Sequence, residues 1–473
     1  MRDNARHAPE KRPKVYTRLS LSSVLCLGLL VVFALSQMSC KRSQNVVDAG
    51  PETVAPAPAT TVLYRWTELG PHSMVLARAI VRSSDVCPQM QLTTSSSTLH
   101  PSMQRRFTDT PQGFEAVTVC EYPISANATA AAMLTSTDTL SLALPVSSPQ
   151  RVVVVGDTGC RIKGRGAIQN CTTEWKFPDI ANAIKGNNPD LIIHVGDYHY
   201  RERTGTTTPP TTECASTKVG YCWAAWNADF FEPAKDLLPE APWIFARGNH
   251  EDCTRAWRGW FYFLYPEHHA QTGAWNTTCT ASSEPYRVSF DGLDLLLMDS
   301  AEIPTAGMHT TVANSFSHKF DSLDALSSPA WLVLHHPMWG VASWWENSTQ
   351  NMGIANPTLM EALEVSGKQI DGSVVKMMLT GHIHFFEKVS YTVPRPPLFV
   401  FGGGGTERDP EVTLAGLRGR ITDIVDPLQI DTTQFASTES FDFAIIQPNT
   451  KGWRVTVKTI DGTPDLTFDI SKN

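Results

Sequence analysis

The chain has 473 residues, of which 42% are hydrophobic and 18% are charged, and this is the composition of a globular protein with a large core. At this length we expect more than one domain. The net charge of -8 and the isoelectric point near 6.0 argue against non-specific nucleic-acid binding, which requires a basic surface.

The first 40 residues are typical of an export signal. Basic residues between Arg2 and Arg18 precede the apolar run "LSLSSVLCLGLLVVFALSQMSC", which is short for a membrane span. Cys40 resembles the acylated cysteine of bacterial lipoproteins, although Gln37 stands where that pattern usually has Leu. Cleavage near Ser39 and an uncleaved signal anchor are the alternatives. We therefore expect export to the periplasm or cell surface, with membrane attachment if Cys40 is acylated.

Two segments without candidate catalytic residues follow the leader. Residues 41–60 are rich in Pro and Ala and lack periodicity, which predicts a stiffened, solvated linker. Residues 61–149 contain short runs such as "SMVLARAIVR" and "FEAVTVCEY" between turn residues, without a helical period. This pattern predicts a small antiparallel β-sandwich that serves for packing or spacing.

From residue 150 to residue 473 the pattern indicates an α/β domain. Apolar runs such as "VVVVGD", "LIIHVGD", "WIFARGN", "WLVLHH" and "VVKMMLTGH" alternate with helix-like segments such as "PDIANAIKGNN" and "PTLMEALEV". Near-continuous apolar strands of this kind are covered by helices on both faces of their sheets. Ligands of such folds bind beyond the carboxyl ends of the strands.

Polar side chains follow five of these apolar runs. They are Asp157, Asp197 with Tyr200, Asn249 with His250, His335 with His336, and His382 with His384. Carboxylate, amide and imidazole groups suit divalent or trivalent transition metals, and the set exceeds what one ion needs. The sequence therefore predicts a site for two metal ions that share one bridging carboxylate.

The series "GDTG", "GDYHY", "GNHE", "LVLHHP" and "GHIH" resembles the metallophosphoesterase superfamily, and within it the purple acid phosphatase branch. The superfamily opens with Asp-x-His, but the third position here is Gly159. Purple acid phosphatases also lack that His and have a Tyr three residues after the second Asp, which corresponds to Tyr200. The resemblance covers residues 151–405. It implies an α/β (α+β) sandwich of two mixed β-sheets flanked by helices, preceded by a small β-sandwich domain.

The resemblance also implies roles for individual residues. One metal, expected to be ferric iron, would be held by Asp157, Tyr200 and His384. Asp197 would bridge to a second, divalent iron, zinc or manganese ion, held by Asn249, His335 and His382. Of the histidine pair, His335 is favoured because "HHPMW" fits the family's His-x-Pro-aromatic pattern from its first residue, which leaves His336 a supporting role.

The implied activity is hydrolysis of a small phosphate monoester by a metal-bound hydroxide, at acidic or near-neutral pH. His250 would donate a proton to the leaving group, or alternatively only orient Asn249 or a bound water. A phosphodiesterase or nucleotide hydrolase on the same site is the nearest alternative. A non-catalytic, metal-containing surface binding protein is the alternative from another class.

One stretch departs from the family pattern. Plant-type purple acid phosphatases carry further substrate-facing histidines shortly after the His-x-Pro motif, whereas residues 340–351, "GVASWWENSTQN", contain none. Trp344, Trp345 and Glu346 occupy this region instead. We therefore expect a more apolar pocket wall and a substrate that differs from the family's usual monoester.

Eight cysteines lie beyond the leader, as four pairs of sequence neighbours: Cys87 with Cys120, Cys160 with Cys171, Cys214 with Cys222, and Cys253 with Cys279. An even number in an exported chain predicts disulfides, although the sequence does not fix their connectivity. Zinc ligation is disfavoured because there are no C-x-x-C pairs.

Overall fold

The computed structural model describes residues 59–162, 168–202, 219–267, 275, 278–326 and 329–472. All of them belong to one compact unit, Val54–Asn473. The predicted leader, nearly all of the predicted linker, and Cys214 lie outside the described residues, so the predictions on them stay predictions. In the described part of the chain, no helix has the length and apolar character needed to cross a membrane.

The N-terminal region consists of β-strands and a short 3-10 helix, Pro71–Ser73. In chain order its strands are β1 Val62–Gly70, β2 Met74–Arg82, β3 Gln89–Thr93, β4 Thr98–Leu99, β5 Gln104–Arg105, β6 Val117–Pro123, β7 Ala130–Leu134 and β8 Thr139–Leu142.

The rest of the chain adds fifteen strands among the described residues. They are β9 Val152–Val155, β10 Leu191–His194, β11 Pro242–Phe245, β12 Tyr286–Phe290, β13 Leu293–Leu297, β14 Ala330–Val333, β15 Val341–Glu346, β16 Thr349–Ile354, β17 Val375–Thr380, β18 Phe386–Val389, β19 Leu398–Phe401, β20 Ala436–Thr438, β21 Asp442–Pro448, β22 Gly452–Thr459 and β23 Pro464–Ser471.

Helices connect many of these strands. The α-helices are α1 Phe177–Lys185, α2 Trp223–Trp226, α3 Glu232–Ala234, α4 Trp257–Gly259, α5 Thr310–Phe316, α6 Pro357–Ser366, α7 Leu414–Arg418 and α8 Asp426–Leu428. Turns of π-helix cover Asn227–Phe231, Trp260–Leu264 and Ile421–Val425, and 3-10 helices cover Asn249–Glu251 and Ser317–Ala325. The helix-like segments predicted from the sequence are therefore helical.

Two large mixed sheets form the centre of the fold. The first has the order β23-β22-β21-β9-β10-β11-β1-β2-β6-β5, and the second has the order β12-β13-β14-β17-β19-β18-β20. Strands β9, β10 and β11 are parallel to one another, as are β13, β14, β17 and β19. Because parallel strands end at the same edge of a sheet, the polar residues that follow them are brought together.

The alternation of side chains along each strand builds a helix–sheet–sheet–helix sandwich. Val154 packs between the sheets, while Val155 packs under the helices on the outer face of the first sheet. In the second sheet Leu295 packs inward and Leu296 packs outward in the same way. Both faces of the central strands of each sheet are thus buried, which explains the near-continuous apolar runs in the sequence. The predicted fold class is confirmed.

The N-terminal strands form two antiparallel sheets, and one of them continues the central sheet. β3, β4, β7 and β8 form a separate sheet that shares a core with β2 and β6. β1 pairs in parallel with β11, so this region is joined to the α/β fold through backbone hydrogen bonds. Its predicted boundary at residue 149 remains a prediction.

Buried ion pairs stabilise the N-terminal strands. Arg78 and Glu68 form an ion pair at 2.8 Å, and Arg106 and Glu121 form another at 2.6 Å, with all four side chains fully buried. Both arginines also donate to the carbonyl oxygen of Tyr265, at 2.7 Å. These bonds provide partners for the terminal nitrogens of two guanidinium groups that would otherwise be costly to bury.

Three of the predicted disulfides are confirmed. They join Cys87 to Cys120, Cys160 to Cys171, and Cys253 to Cys279. The bond between Cys160 and Cys171 lies directly beyond the strand end that carries Asp157, and therefore braces a loop next to the predicted metal site.

Candidate metal centre

The seven predicted metal ligands lie at the carboxyl ends of five strands, three in the first sheet and two in the second. They are Asp157 after β9, Asp197 and Tyr200 after β10, Asn249 after β11, His335 after β14, and His382 and His384 after β17. Six of the seven are buried, and His382 is partly buried.

The backbone of the site is held in unusual conformations. Asp157, Asp197 and His382 have φ angles of 56°, 61° and 76°, in the left-handed region that L-residues rarely adopt. Such conformations persist where surrounding structure fixes them, and they are concentrated at functional sites. Gly248 lies directly against Asp197, because a Cβ at position 248 would be 2.1 Å from Asp197 Oδ1 and would clash with it.

A first group of ligands surrounds the hydroxyl of Tyr200. The hydroxyl lies 2.9 Å from Asp157 Oδ1, 2.7 Å from Asp197 Oδ2 and 2.9 Å from His384 Nε2. His384 Nδ1 lies 2.8 Å from the carbonyl oxygen of Glu407 and 3.1 Å from Nη1 of Arg161, so His384 also contacts one of the cationic side chains near the site.

A second group surrounds the side-chain oxygen of Asn249. This Oδ1 lies 2.9 Å from His335 Nε2 and 2.8 Å from His382 Nδ1. His335 Nε2 is also 3.3 Å from Asp197 Oδ2. Asp197 consequently contacts both groups, as its predicted bridging role requires. Asp197, His335 and His382 can converge on one ion, since their ligand atoms lie within 4.8 Å of one another.

The electrostatics of these groups fit bound cations. Burial and the neighbouring Asp197 carboxylate raise the pKa of Asp157 well above its ordinary value. Burial lowers the pKa of His335, but the Asp197 carboxylate outweighs it and raises that pKa to about 9. In turn His335 and His250 hold the pKa of Asp197 low despite its burial. Without metal the site therefore retains protons between its ligands, where cations would replace them.

The hydrogen bonds give a second test of that fit. Two carboxylate oxygens and one imidazole nitrogen, which are atoms that bind metal ions, lie within 2.9 Å of the Tyr200 hydroxyl oxygen. A cation between the oxygen and nitrogen atoms would satisfy all of them. The residues present therefore fit a site for metal ions.

Glu251 organises the loop that carries the bridging ligand. Its buried carboxylate accepts hydrogen bonds from the backbone N–H groups of Asp197, Tyr198, His199 and Gly248, at 2.9–3.1 Å. The ends of β10 and β11 are tied together in this way. The "GNHE" motif contained Glu251, but nothing in the sequence assigned it this role.

His250 lies beside the ligands in a position to contact a substrate. Its ring is 4.1 Å from the ring of Tyr200, and its Nε2 is 4.0 Å from Asp197 Oδ2. Its other ring nitrogen, Nδ1, lies 2.8 Å from the carboxylate of Glu202. Burial and the nearby Arg255 lower the pKa of His250, while Asp197 and Glu202 oppose them.

A cavity of about 540 Å³ opens over the metal ligands. Two arginines, Arg161 and Arg255, line it together with Asn249, His250 and His384. Sequence reasoning missed both arginines and Glu202. A signal was available for the arginines, because Arg161 follows Cys160 directly and Arg255 follows Cys253 by two positions, so that disulfide-braced loops carry both.

Two neighbouring histidines, His336 and His199, and a second candidate metal group do not join the predicted ligands. His336 turns away from Asn249, with Nδ1 3.2 Å from the hydroxyl of Ser300, so the geometry supports His335 as the ligand. His199 Nε2 lies 2.9 Å from the carbonyl oxygen of Gly220 and does not enter the site. Cys253 and Cys279 cluster with Glu302, but they form a disulfide and offer no thiolate.

Comparison with known proteins agrees with this geometry. A family model of the calcineurin-like phosphoesterases matches residues 150–386, about half of the chain. Among solved structures, a purple acid phosphatase from seeds of yellow lupin (Lupinus luteus) is similar, with 14% sequence identity and a TM-score of 0.51 over 88% of this chain and 74% of that one. PhoD is similar with 9% identity and a TM-score of 0.52, over 88% of this chain and 91% of its own.

No curated protein sequence matches the chain. At these low identities the two structures show a shared fold, and the family model carries the assignment. The resemblance drawn from the sequence motifs is thereby confirmed. Metallophosphoesterases bind two metal ions, and the chain has candidate metal-ligand groups. The chain belongs to the calcineurin-like phosphoesterase family and is a hydrolase that acts on phosphoric esters.

Proposed function

We propose that the protein is an exported phosphoesterase with two metal ions, which hydrolyses phosphate monoesters. The observation that carries this proposal is the convergence of seven donor side chains into two groups that share Asp197. One group, Asp157, Tyr200 and His384, meets at the Tyr200 hydroxyl, and the other, Asn249, His335 and His382, meets at the Asn249 oxygen.

The donor sets suggest which ions bind. Phenolate is a strongly basic oxygen donor and favours a trivalent ion, so we assign ferric iron to the Tyr200 group. The Asn249 group suits a divalent iron, zinc or manganese ion. When bound, the two cations would polarise the phosphate oxygens and lower the pKa of water at the site.

Side chains of the chain itself would bind and orient the substrate. The side chains of Arg161 and Arg255 line the cavity and are 20% and 24% exposed, and their guanidinium groups would attract a phosphate there. His250 would hold a proton for the leaving oxygen, and Glu202 would fix the orientation of its ring. The carboxylates of Asp157 and Asp197 would repel an anionic substrate, and the two arginines would offset this repulsion.

A phosphodiesterase is the second candidate function, and the size of the cavity favours it. A volume of about 540 Å³ exceeds what a single phosphate group occupies and lies in the range that holds drug-sized ligands. Turnover of bis(p-nitrophenyl) phosphate faster than p-nitrophenyl phosphate would select this function. A non-catalytic binding protein remains the outcome if the metal-replete protein turns over neither.

Export is supported by the three disulfides, because disulfides form and persist in oxidising compartments. Acylation of Cys40 would place the protein on a membrane surface. Mass spectrometry of the mature N-terminus distinguishes an acylated Cys40 from cleavage near Ser39 and from an uncleaved leader.

Metal analysis combined with a phosphate-release assay tests the proposed function. We expect two metal ions per chain, and loss of both ions and of activity in Asp197→Asn, since this carboxylate touches both ligand groups. Asp236→Asn, a change at an exposed carboxylate, is the matched control and should alter neither. Retention of two ions in Asp197→Asn would contradict the bridging role.

A further inference from the structure

The cavity over the predicted metal ligands has both polar and apolar lining residues. The polar ones include Asn249, His250, His382 and His384. The apolar ones include Ala342, Trp344, Ile354 and Ala355. A ligand that fills this space can therefore combine an anionic part with an apolar part.

Trp344 is the largest of the apolar lining residues, and it stands on the hairpin of β15 and β16. It pairs across the hairpin with Asn351. The end of its ring lies near Gly353, where a Cβ would be in van der Waals contact with two ring atoms, at 3.4 Å and 3.5 Å. Even so, 45% of Trp344 is exposed.

The hairpin is fastened to the segment that orients a metal ligand. The hydroxyl of Ser343 donates to the carbonyl oxygen of Pro410, and Gln350 Nε2 donates to that of Glu411 at 2.7 Å. The neighbouring Asp409 accepts the backbone N–H of His384 at 3.1 Å. The indole is consequently held at a fixed place relative to the metal site, which is what a recognition surface requires.

We propose that Trp344 stacks against a flat aromatic ring in the leaving group, so that the substrates are phosphate esters of nucleosides or phenols. This inference rests on the proposed phosphoesterase function. An aromatic ring presents one rigid face to the exposed indole and loses little conformational entropy on binding. A flexible alkyl chain would cover the same surface at a greater loss of rotational freedom.

The test compares kcat/KM for four substrates in the metal-replete protein: adenosine 5′-monophosphate, p-nitrophenyl phosphate, n-hexyl phosphate and glycerol phosphate. The variants are Trp344→Ala and the conservative Trp344→Phe. Trp345→Ala is the matched control, because Trp345 is the adjacent residue, 63% exposed, but lines a different groove with Gln350 and Glu411.

We expect Trp344→Ala to lower kcat/KM for adenosine monophosphate about 5- to 150-fold, which corresponds to the roughly 1–3 kcal/mol of a base stacked on an aromatic side chain. Glycerol phosphate should change less than about 2-fold, Trp344→Phe should restore most of the loss, and Trp345→Ala should resemble the wild type. A loss confined to p-nitrophenyl phosphate identifies a phenolic ester, whereas a larger loss with the nucleotide identifies a nucleoside.

Three results would overturn the inference. The first is an equal loss of kcat/KM for all four substrates in Trp344→Ala, which would indicate a structural role. The second is no loss with either aromatic substrate. The third is a loss with n-hexyl phosphate as large as that with the nucleotide. Calorimetric titration with adenosine monophosphate and with glycerol phosphate gives a second readout. If the wild type hydrolyses nothing, the proposed function fails, and the titrations of wild type and Trp344→Ala still decide whether the indole binds the ring.

Discussion

Glu387, in β18, allows a quantitative prediction about stability and pH. Its side chain is fully buried, with Oε1 accepting the backbone N–H of Val341 at 3.0 Å, while Oε2 has no hydrogen-bond partner among the described residues. Burial raises the pKa of this carboxyl from 4.5 to about 8, although the hydrogen bond from Val341 opposes the change. The folded protein therefore holds a proton here at neutral pH.

This proton makes folding sensitive to pH in a known direction. Between about pH 4.5 and pH 8 the unfolded chain has released the proton that the folded protein keeps, so unfolding releases a proton. The stability contributed by the neutral carboxyl is fully present below about pH 4.5 and is lost as the pH rises through about 8. A pKa difference of this size corresponds to roughly 5 kcal/mol at most.

Glu387→Gln removes this titration, because its amide oxygen can accept from Val341 and its NH2 replaces the protonated oxygen. We expect the variant to gain several kcal/mol relative to the wild type between about pH 5 and pH 8, as measured by urea unfolding followed through tryptophan fluorescence. Other titrating groups, including the metal site, are common to both proteins and cancel.

Glu364→Gln, at an exposed carboxylate of α6, is the control and should follow the wild type at every pH. Parallel pH profiles for the wild type and Glu387→Gln would refute the reasoning, since they would mean that Glu387 is ionised in the folded protein.

Four further predictions concern the site and its surroundings. Tyr200→Phe removes the hydroxyl that contacts three ligands, so we expect loss of a visible charge-transfer band and of iron by metal analysis, with an unchanged circular dichroism spectrum; full iron content would contradict the ligand role. His250→Asn should lower kcat more for an alkyl phosphate than for p-nitrophenyl phosphate, because a poor leaving group needs the proton, and equal losses would show that the ring only positions other groups. Glu202→Gln should also lower kcat more for the alkyl phosphate than for p-nitrophenyl phosphate, but by a smaller factor than His250→Asn. The ratio of the two kcat values measures this effect. Replacing Cys160 and Cys171 by Ser should lower the stability by roughly 2–3 kcal/mol in thermal unfolding, and an unshifted melting temperature would exclude a bracing role.

The sequence predicts the centre of this site well, because each predicted ligand closely follows the apolar run that forms its strand. Each apolar run is continuous since both faces of its strand are buried, and the polar residue follows shortly after the strand ends, as at Asp157 and Asp197. The missing His at Gly159 and the Tyr at position 200 then agree with one branch of the family. The ligand roles themselves stay predictions until metal is measured.

The surroundings of the site could not be predicted in the same way. Arg161, Glu202 and Arg255 come from loops whose positions depend on disulfides and on packing between distant segments. The pairing of β1 with β11 is also non-local, and no local pattern specifies which strand edge β1 will meet. Local sequence thus encodes strands and their ends, whereas contacts between loops require the folded chain.

The pairing of β1 with β11 has a consequence for how the chain is made. Thr67 meets Pro242, a partner that is synthesised about 175 residues later. Until then one edge of β1 remains open, and unpaired edges are prone to join other chains. Conversely, a fragment that begins at residue 150 would leave the edge of β11 uncovered. We therefore expect the N-terminal strands to be needed for a soluble product, and the nascent chain to depend on protection against aggregation until β11 has emerged.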